Sequence, residues 1–194
     1  MRLQPGDLAP LFSMKDIYGN PVSLEWHRGS KIHLSFHRYG ACPFCNLRVY
    51  VLKQQHALYR KRGLVIISFF HSPQEEVLKY AGTQAPPFPL IADPEQTVYR
   101  QYGVERSVAG VVKGMFRVGQ LVQAYRRGFG MKTTRESLVG MPAEFLIGAD
   151  MKVERVHYGS DMGDHLHLHE IEEWLSQGHG KKMAHGAPVL QPSN

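Results

Sequence analysis

Cys42-Pro43-Phe44-Cys45 holds both cysteines of the chain. A bridge across this spacing closes almost no loop, whereas a structural disulfide gains most from closing a long one. The pair therefore points to chemistry, as a redox dithiol or as half of a metal site. The flanking residues favour the redox reading. Lys31–His37, "KIHLSFH", alternates as a strand with Ile32, Leu34 and Phe36 on one face. A helix then runs to about Arg62, with Leu47, Tyr50, Val51 and Leu58 along one stripe. Cys42 falls at its N-cap and Pro43 at its first position, where a missing N–H costs nothing. Two cysteines on one first turn lie within disulfide reach. The partial positive charge and free N–H groups of a helix start favour a Cys42 thiolate. Arg38 and a protonated His37 are expected to add to this. The expected roles are an exposed Cys42 that attacks and a more buried Cys45 that resolves.

A metal site needs more ligands, since zinc usually joins a CxxC to a second Cys or His pair. "DHLHLHE" offers His165, His167 and His169, with His165 and His169 at helical i,i+4 spacing. Without a second CxxC the expectation is no metal and no bound cofactor, only the cysteine pair and an external thiol reductant.

The 194 residues suffice for one full domain. The longest apolar run, Gly63–Phe70, suits a buried strand and is too short for a bilayer. The start, "MRLQPGDLAP", lacks a signal peptide's apolar core, so a reducing cytoplasm is expected, where a CxxC is catalytic or metal-binding. The net charge is +6, with Lys113, Arg117, Arg126, Arg127, Lys132 and Arg135 clustered in one region. No nucleic-acid motif accompanies them, so a solvated basic face is expected, with neither nucleic acid nor membrane as partner.

Along the chain, "LFSMKDIYGNPVSLEW" reads as a hairpin turning at Tyr18–Asn20. "LVIISFF" and "PFPLIAD" read as strands. "SPQEEVLKYAG" and "DPEQTVYRQYG" read as helices capped by Ser72 and Asp93 with proline next. "AEFLIG" and "MKVERVHYG" read as two strands joined at Gly148–Asp150, and "DHLHLHEIEEWLSQG" as a helix capped by Asp164. Trp26 and Trp174 are expected in the core or in helix packing, and His33 as a satisfied polar neighbour. Strands alternating with helices predict an α/β fold, a central mixed sheet flanked by helices, with an N-terminal β-hairpin. A basic, partly helical insertion near 105–139 has two candidate roles, a lid or a homodimer contact. Residues 1–178 form the expected domain and 179–194 a disordered tail.

"GDLAPLFSMKDIYGNPVSL", "HRYGACPFCNL", "PFPLIADPEQTVYRQYGV", "MPAEFLIGADMKVERVHYG" and "GDHLHLHEIEEWL" follow one another as in peroxiredoxins. The chain resembles the alkyl-hydroperoxide-reductase/thiol-specific-antioxidant (AhpC/TSA) group, in a subgroup with a CPxC site, over roughly residues 4–177. The resemblance implies a thioredoxin-like fold. It also shows departures. The Pro and Thr of the family's PxxxTxxC stand here as Ser35 and Tyr39, though Tyr39 offers a hydroxyl. The distal Arg aligns with Pro142, which instead matches the thioredoxin proline, usually cis. Arg38 or an Arg of the 117–135 segment would then replace the lost one. Thioredoxin's Trp before the first Cys is Ala41.

Three readings follow. In a thiol peroxidase, the Cys42 thiolate attacks a hydroperoxide, Cys45 closes a disulfide, and a thioredoxin- or glutathione-type thiol restores the pair. In a thiol–disulfide oxidoreductase, an exposed Cys42 attacks a partner's disulfide beside Pro142. The third is a metal-dependent or redox-inactive binding module. The active-site shell on the first two is His37, Arg38, Tyr39, Pro43 and Pro142.

Overall fold

Strand β3, Lys31–His37, is central because both of its faces are buried. The computed structural model describes residues 1–104, 109, 113, 117–130 and 140–177. A two-stranded sheet of β1 (Ser13–Lys15) and β2 (Pro21–Ser23) closes through the predicted turn, where the Asp16 carboxylate accepts from the N–H groups of Tyr18 and Asn20. The main sheet has the order β5-β4-β3-β6-β7, with β4 at Leu64–Phe70, β5 at Leu90–Ala92, β6 at Ala143–Ile147 and β7 at Val153–Tyr158. β3, β4 and β5 run parallel, and β6 pairs antiparallel with both β3 and β7, so the sheet is mixed as expected.

The helices are α1 (Pro43–Lys61), α2 (Gln74–Lys79), α3 (Thr97–Gln101), α4 (Val118–Arg126) and α5 (Leu168–Ser176). α4 packs on α1. One sheet face carries Ile32, Leu34, Phe36, Ile67, Phe69, Phe145 and Ile147 against Tyr99 and Tyr102. Phe36 is its hub, stacked on Phe69 at 5.2 Å and edge-on to Tyr99 at 4.9 Å and Phe145 at 5.7 Å. The opposite face meets α1 and α5 with Ile66, Phe70 and Leu146, and there period two also places His33, Ser35, His37 and Glu144.

Glu144 ties this face together. Fully buried, it holds Arg48 of α1 at 2.5 Å, His33 of β3 at 2.7 Å and His165, just before α5, at 2.8 Å. Burial by itself raises its pKa. The Arg48 charge and the His165 and His33 hydrogen bonds overcome this and hold it well below the ordinary 4.5.

Several local expectations are corrected. Helix α2 starts at Gln74, and the Ser72 hydroxyl accepts from Gly40 N–H instead of capping it. Helix α3 starts at Thr97, yet Asp93 still caps it, accepting from the Thr97 and Val98 N–H groups. Helix α5 is capped by His167, not Asp164. Asp164 accepts from Ser160 N–H and pairs with His157 and Arg117. The buried stripe of α1 runs through Cys45, Val49, Leu52 and Tyr59, while Leu58 is exposed, because the sheet lies on the Cys45 side. Trp174 is buried, but Trp26 is 61% exposed on a short 3₁₀ turn. Of the 105–139 insertion, 105–108, 110–112, 114–116 and 131–139 lie outside the described residues, as does the 179–194 tail. Among the described residues no helix is long and apolar enough to cross a membrane.

Phe36→Ala is expected to lower unfolding free energy by about 3–5 kcal/mol, read from the urea midpoint. Glu144 has a depressed pKa in the folded state, so its contribution is full above about pH 4.5 and fades as pH falls through its lower native value. Glu144→Leu with Arg48→Met should therefore flatten the acid limb of a stability-against-pH curve, whereas Glu144→Ala alone should cost about 3–5 kcal/mol by stranding Arg48.

Candidate active site

Cys42 is the N-cap of α1 and Pro43 its first residue, as the spacing predicts. The turn that delivers them is held by its own backbone. Cys42 N–H donates to Tyr39 C=O at 3.0 Å, and Asn46 Nδ2 donates to the carbonyls of Gly40 at 2.7 Å and Cys42 at 2.9 Å. Gly40 passes so close to α2 that a Cβ there would meet Glu76 backbone at 3.0 Å.

The two sulfurs sit in one buried setting with opposite consequences. Burial pushes the Cys42 thiol up. A hydrogen bond from the Cys45 thiol, the Arg38 charge and the N–H groups of Cys45 and Phe44 outweigh it, bringing the pKa from 9.0 down to about 7. Burial, with the same hydrogen bond and the neighbouring Cys42 charge, drives Cys45 well above 9.0. Near neutrality Cys42 therefore ionises readily while Cys45 keeps its proton.

Arg38 is the main external cation. It is 2% exposed, with Nη1 3.8 Å from Cys42 Sγ and 3.2 Å from Met162 Sδ, and Nε donating to Gly140 C=O at 2.7 Å. Its own N–H donates to Cys45 Sγ at 3.3 Å. Tyr39 is buried with its ring under the Arg38 guanidinium, 5.2 Å from the centroid. His37 does not supply the expected charge. Burial first, then the neighbouring His165, hold its pKa well below 6.5, and its Nε2 pairs with Ser35 Oγ at 3.2 Å.

Two further expectations are corrected. Cys42 is not exposed, since both cysteines have no accessible surface. Cys42 belongs to the buried cluster that includes Tyr39, Ala41, Phe44 and Met162, and the Arg38 guanidinium stands 3.8 Å from its sulfur. The Met141–Pro142 bond is trans, not cis. Trans is the default for X–Pro, and the carbonyls on either side are engaged, Gly140 with Arg38 and Pro142 with Gly159 N–H at 2.8 Å.

The histidines behave differently from a metal set. His165 precedes α5, so the helical i,i+4 relation to His169 does not form, and the His167 and His169 rings stack at 5.5 Å. Among the described residues no group of three or more His, Cys, Asp or Glu is placed to hold a metal ion. In the basic segment, Arg117 pairs with Asp161 at 2.7 Å, Arg127 lies over the Tyr50 ring and Lys113 donates to Ser160 Oγ. Lys132 and Arg135 lie outside the described residues.

Sequence reading missed Met162, Gly140, Arg48 and Glu144. The one legible signal was a charged residue, Glu144, inside the apolar strand "AEFLI". Such a residue is seldom buried without a partner.

The AhpC/TSA family model matches residues 5–156. Peroxiredoxin Bcp of Escherichia coli is 27% identical over 125 residues, 63% of this chain and 80% of that protein. Among solved structures, peroxidoxin BcpB from Mycobacterium tuberculosis superposes with a TM-score of 0.65 at 16% identity, covering 94% of this chain and 100% of that one. A thiol peroxidase from Chromobacterium violaceum superposes with a TM-score of 0.63 at 15% identity, covering 92% and 90%.

Arg38→Met should move the Cys42 titration upward from about 7 toward the ordinary 9.0, by about one unit. The midpoint of alkylation rate against pH reads it, and an unmoved midpoint would assign the depression to the Cys45 hydrogen bond and the helix start.

Proposed function

We infer that this chain, which belongs to the AhpC/TSA family, is a thiol-dependent peroxidase, with Cys42 as the peroxide-reacting cysteine and Cys45 as the resolving one. One observation carries the assignment of roles. A buried thiolate at about pKa 7 stands against Arg38 and beside a thiol whose own pKa is pushed up.

The Cys42 thiolate attacks the outer oxygen of ROOH, and the O–O bond breaks. The leaving RO⁻ takes a proton and departs as the alcohol, or as water when R is hydrogen. Arg38 stands where charge builds on the reacting oxygens, taking the place of the distal Arg that Pro142 replaces. The resulting Cys42 sulfenic acid is attacked by Cys45. The S–O bond breaks, an S–S bond forms, and the hydroxyl leaves as water with the Cys45 proton. A high Cys45 pKa suits this order, since the proton stays on Cys45 until it is needed. Two thiol equivalents then reduce the disulfide, with no prosthetic group.

The same dithiol is chemically able to exchange with a protein disulfide. That reaction needs Cys42 at the surface, and Cys42 is wholly covered. A hydroperoxide needs a far smaller opening, so the peroxidase reading fits the burial better. A reducing cytoplasm, a thioredoxin- or glutathione-type reductant and a homodimer complete the proposal.

Rapid-quench alkylation with intact-mass readout tests it. Stoichiometric hydroperoxide should oxidise the reduced pair orders of magnitude faster than a free thiol. Cys42→Ser should abolish turnover. Cys45→Ser should allow one oxidation event, ending in a sulfenic acid or a mixed disulfide. Full activity in Cys42→Ser would falsify the assignment.

A further inference from the structure

Met162 brings a further sulfur to the dithiol. Its Sδ accepts from Arg38 Nη1 at 3.2 Å, and the same Nη1 stands 3.8 Å from Cys42 Sγ. Met162 belongs to the buried cluster that holds both cysteines, yet at 8% exposure it is more open than either, since neither has accessible surface. One guanidinium nitrogen is thus shared between a thioether and the sulfur it helps to ionise.

The backbone around Met162 is pinned on both sides. The Asp161 carboxylate, 1% exposed, accepts from Gly163 N–H at 2.9 Å and pairs with Arg117 at 2.7 Å. Gly163 lies so close to the side chains of Phe44 and Arg117 that a Cβ would meet either of them at 2.9 Å. Arg38 Nε donates to Gly140 C=O at 2.7 Å, so the guanidinium too is held at one end. The contact between Sδ and Nη1 is therefore built by the fold from both directions.

A thioether is a weak hydrogen-bond acceptor. Its sulfoxide is polar and carries an oxygen that competes for the same N–H. No room for an oxygen exists between Sδ and a nitrogen at 3.2 Å, so an oxygen that takes this N–H has to shift the guanidinium.

We propose that Met162 is an oxidation site of this protein, and that its sulfoxide draws Arg38 away from Cys42 and slows later turnovers. The inference rests on the peroxide chemistry described above, which brings the oxidant to Arg38. Sδ attacks the outer oxygen of ROOH, the O–O bond breaks and an S–O bond forms. The proton passes to the leaving oxygen, which departs as ROH. The sulfur loses two electrons and the peroxide gains them. The step matters when the donor thiol runs short. Cys42 and Cys45 are then joined as a disulfide, and Met162 is the reduced sulfur left beside Arg38. Thiols reopen the disulfide but leave the sulfoxide, which needs its own reductase, so the slowing outlasts the return of the donor.

The charged and titratable groups around the Cys42 turn are Arg38 and Tyr39 just past β3, Cys45 on α1 and Glu76 on α2. Arg38 is the cation among them, so its displacement moves the Cys42 titration up.

The test starts from protein closed to the Cys42–Cys45 disulfide with diamide. Excess hydrogen peroxide is added, and dithiothreitol then reduces the disulfide while leaving any sulfoxide in place. Peptide mass should put one added oxygen on Met162 well before Met141 or Met151, which are 5% and 2% exposed. In that form the midpoint of Cys42 alkylation against pH should rise from about 7 toward 9.0. A rise of one unit cuts the thiolate present at pH 7 about fivefold, and hydroperoxide oxidation at that pH should slow by the same factor. Met162→Leu carried through the same steps should keep the midpoint of its own untreated form. A Met162 that gains oxygen no sooner than Met141 and Met151, an unmoved midpoint in the sulfoxide form, or a treated Met162→Leu that shifts as far as wild type each overturns it. The midpoint is read with an alkylating agent, so slow oxidation of the reduced pair by peroxide would sink the peroxidase reading and leave this test intact.

Discussion

A single buried carboxylate organises the working face of this protein. Glu144 reaches from β6 to Arg48 on α1, to His33 on β3 and to His165 ahead of α5. Charges are costly to bury, and a buried acid survives only where its partners replace the water it lost. Here the partners come from separate elements, so satisfying the charge also fixes where α1 lies on the sheet. The first turn of α1 carries the cysteines. The position of Cys42 against Arg38 thus depends on an ion pair one helical turn away.

Burial then divides the dithiol. Desolvation alone would raise both thiols, and it does raise Cys45. Cys42 escapes because it sits at the helix N-cap, receives N–H groups, takes the Cys45 hydrogen bond and faces Arg38. The two residues share a chemistry and a burial and differ only in where the donors point. In the proposed cycle this asymmetry separates attack from resolution. Arg38, adjacent to the strand end, places its positive charge at Cys42.

The opposite face of the sheet does a simpler job. Phe36, Phe69, Phe145, Tyr99 and Tyr102 interlock there by edge and stacked contacts, leaving the polar groups of the other face free for chemistry. A strand with a period of two can serve both, and β3 shows it residue by residue. Ile32, Leu34 and Phe36 build the core, while His33, Ser35 and His37 face the site.

Much of this was legible in the chain. Alternation identified β3 and a continuous apolar run identified β4, the Pro43 position placed Cys42 at an N-cap, and the order of elements predicted a mixed sheet. These are local consequences of side-chain period and backbone geometry, which short stretches encode by themselves. The charge state of His37, the exposure of Cys42, the trans Pro142 bond and the roles of Asp164 and Trp26 were not legible. Each depends on what another element brings near. Nothing in "KIHLSFHRYGACPFC" says that Cys42 will share a buried cluster with Met162, or that residues 33, 48, 144 and 165 will meet. Sequence determined which residues could react and how they are spaced along a strand and a helix. Only the tertiary structure decided that His37 adds no charge and that Cys42 is covered, because desolvation and Coulomb interaction depend on distances through space and not along the chain.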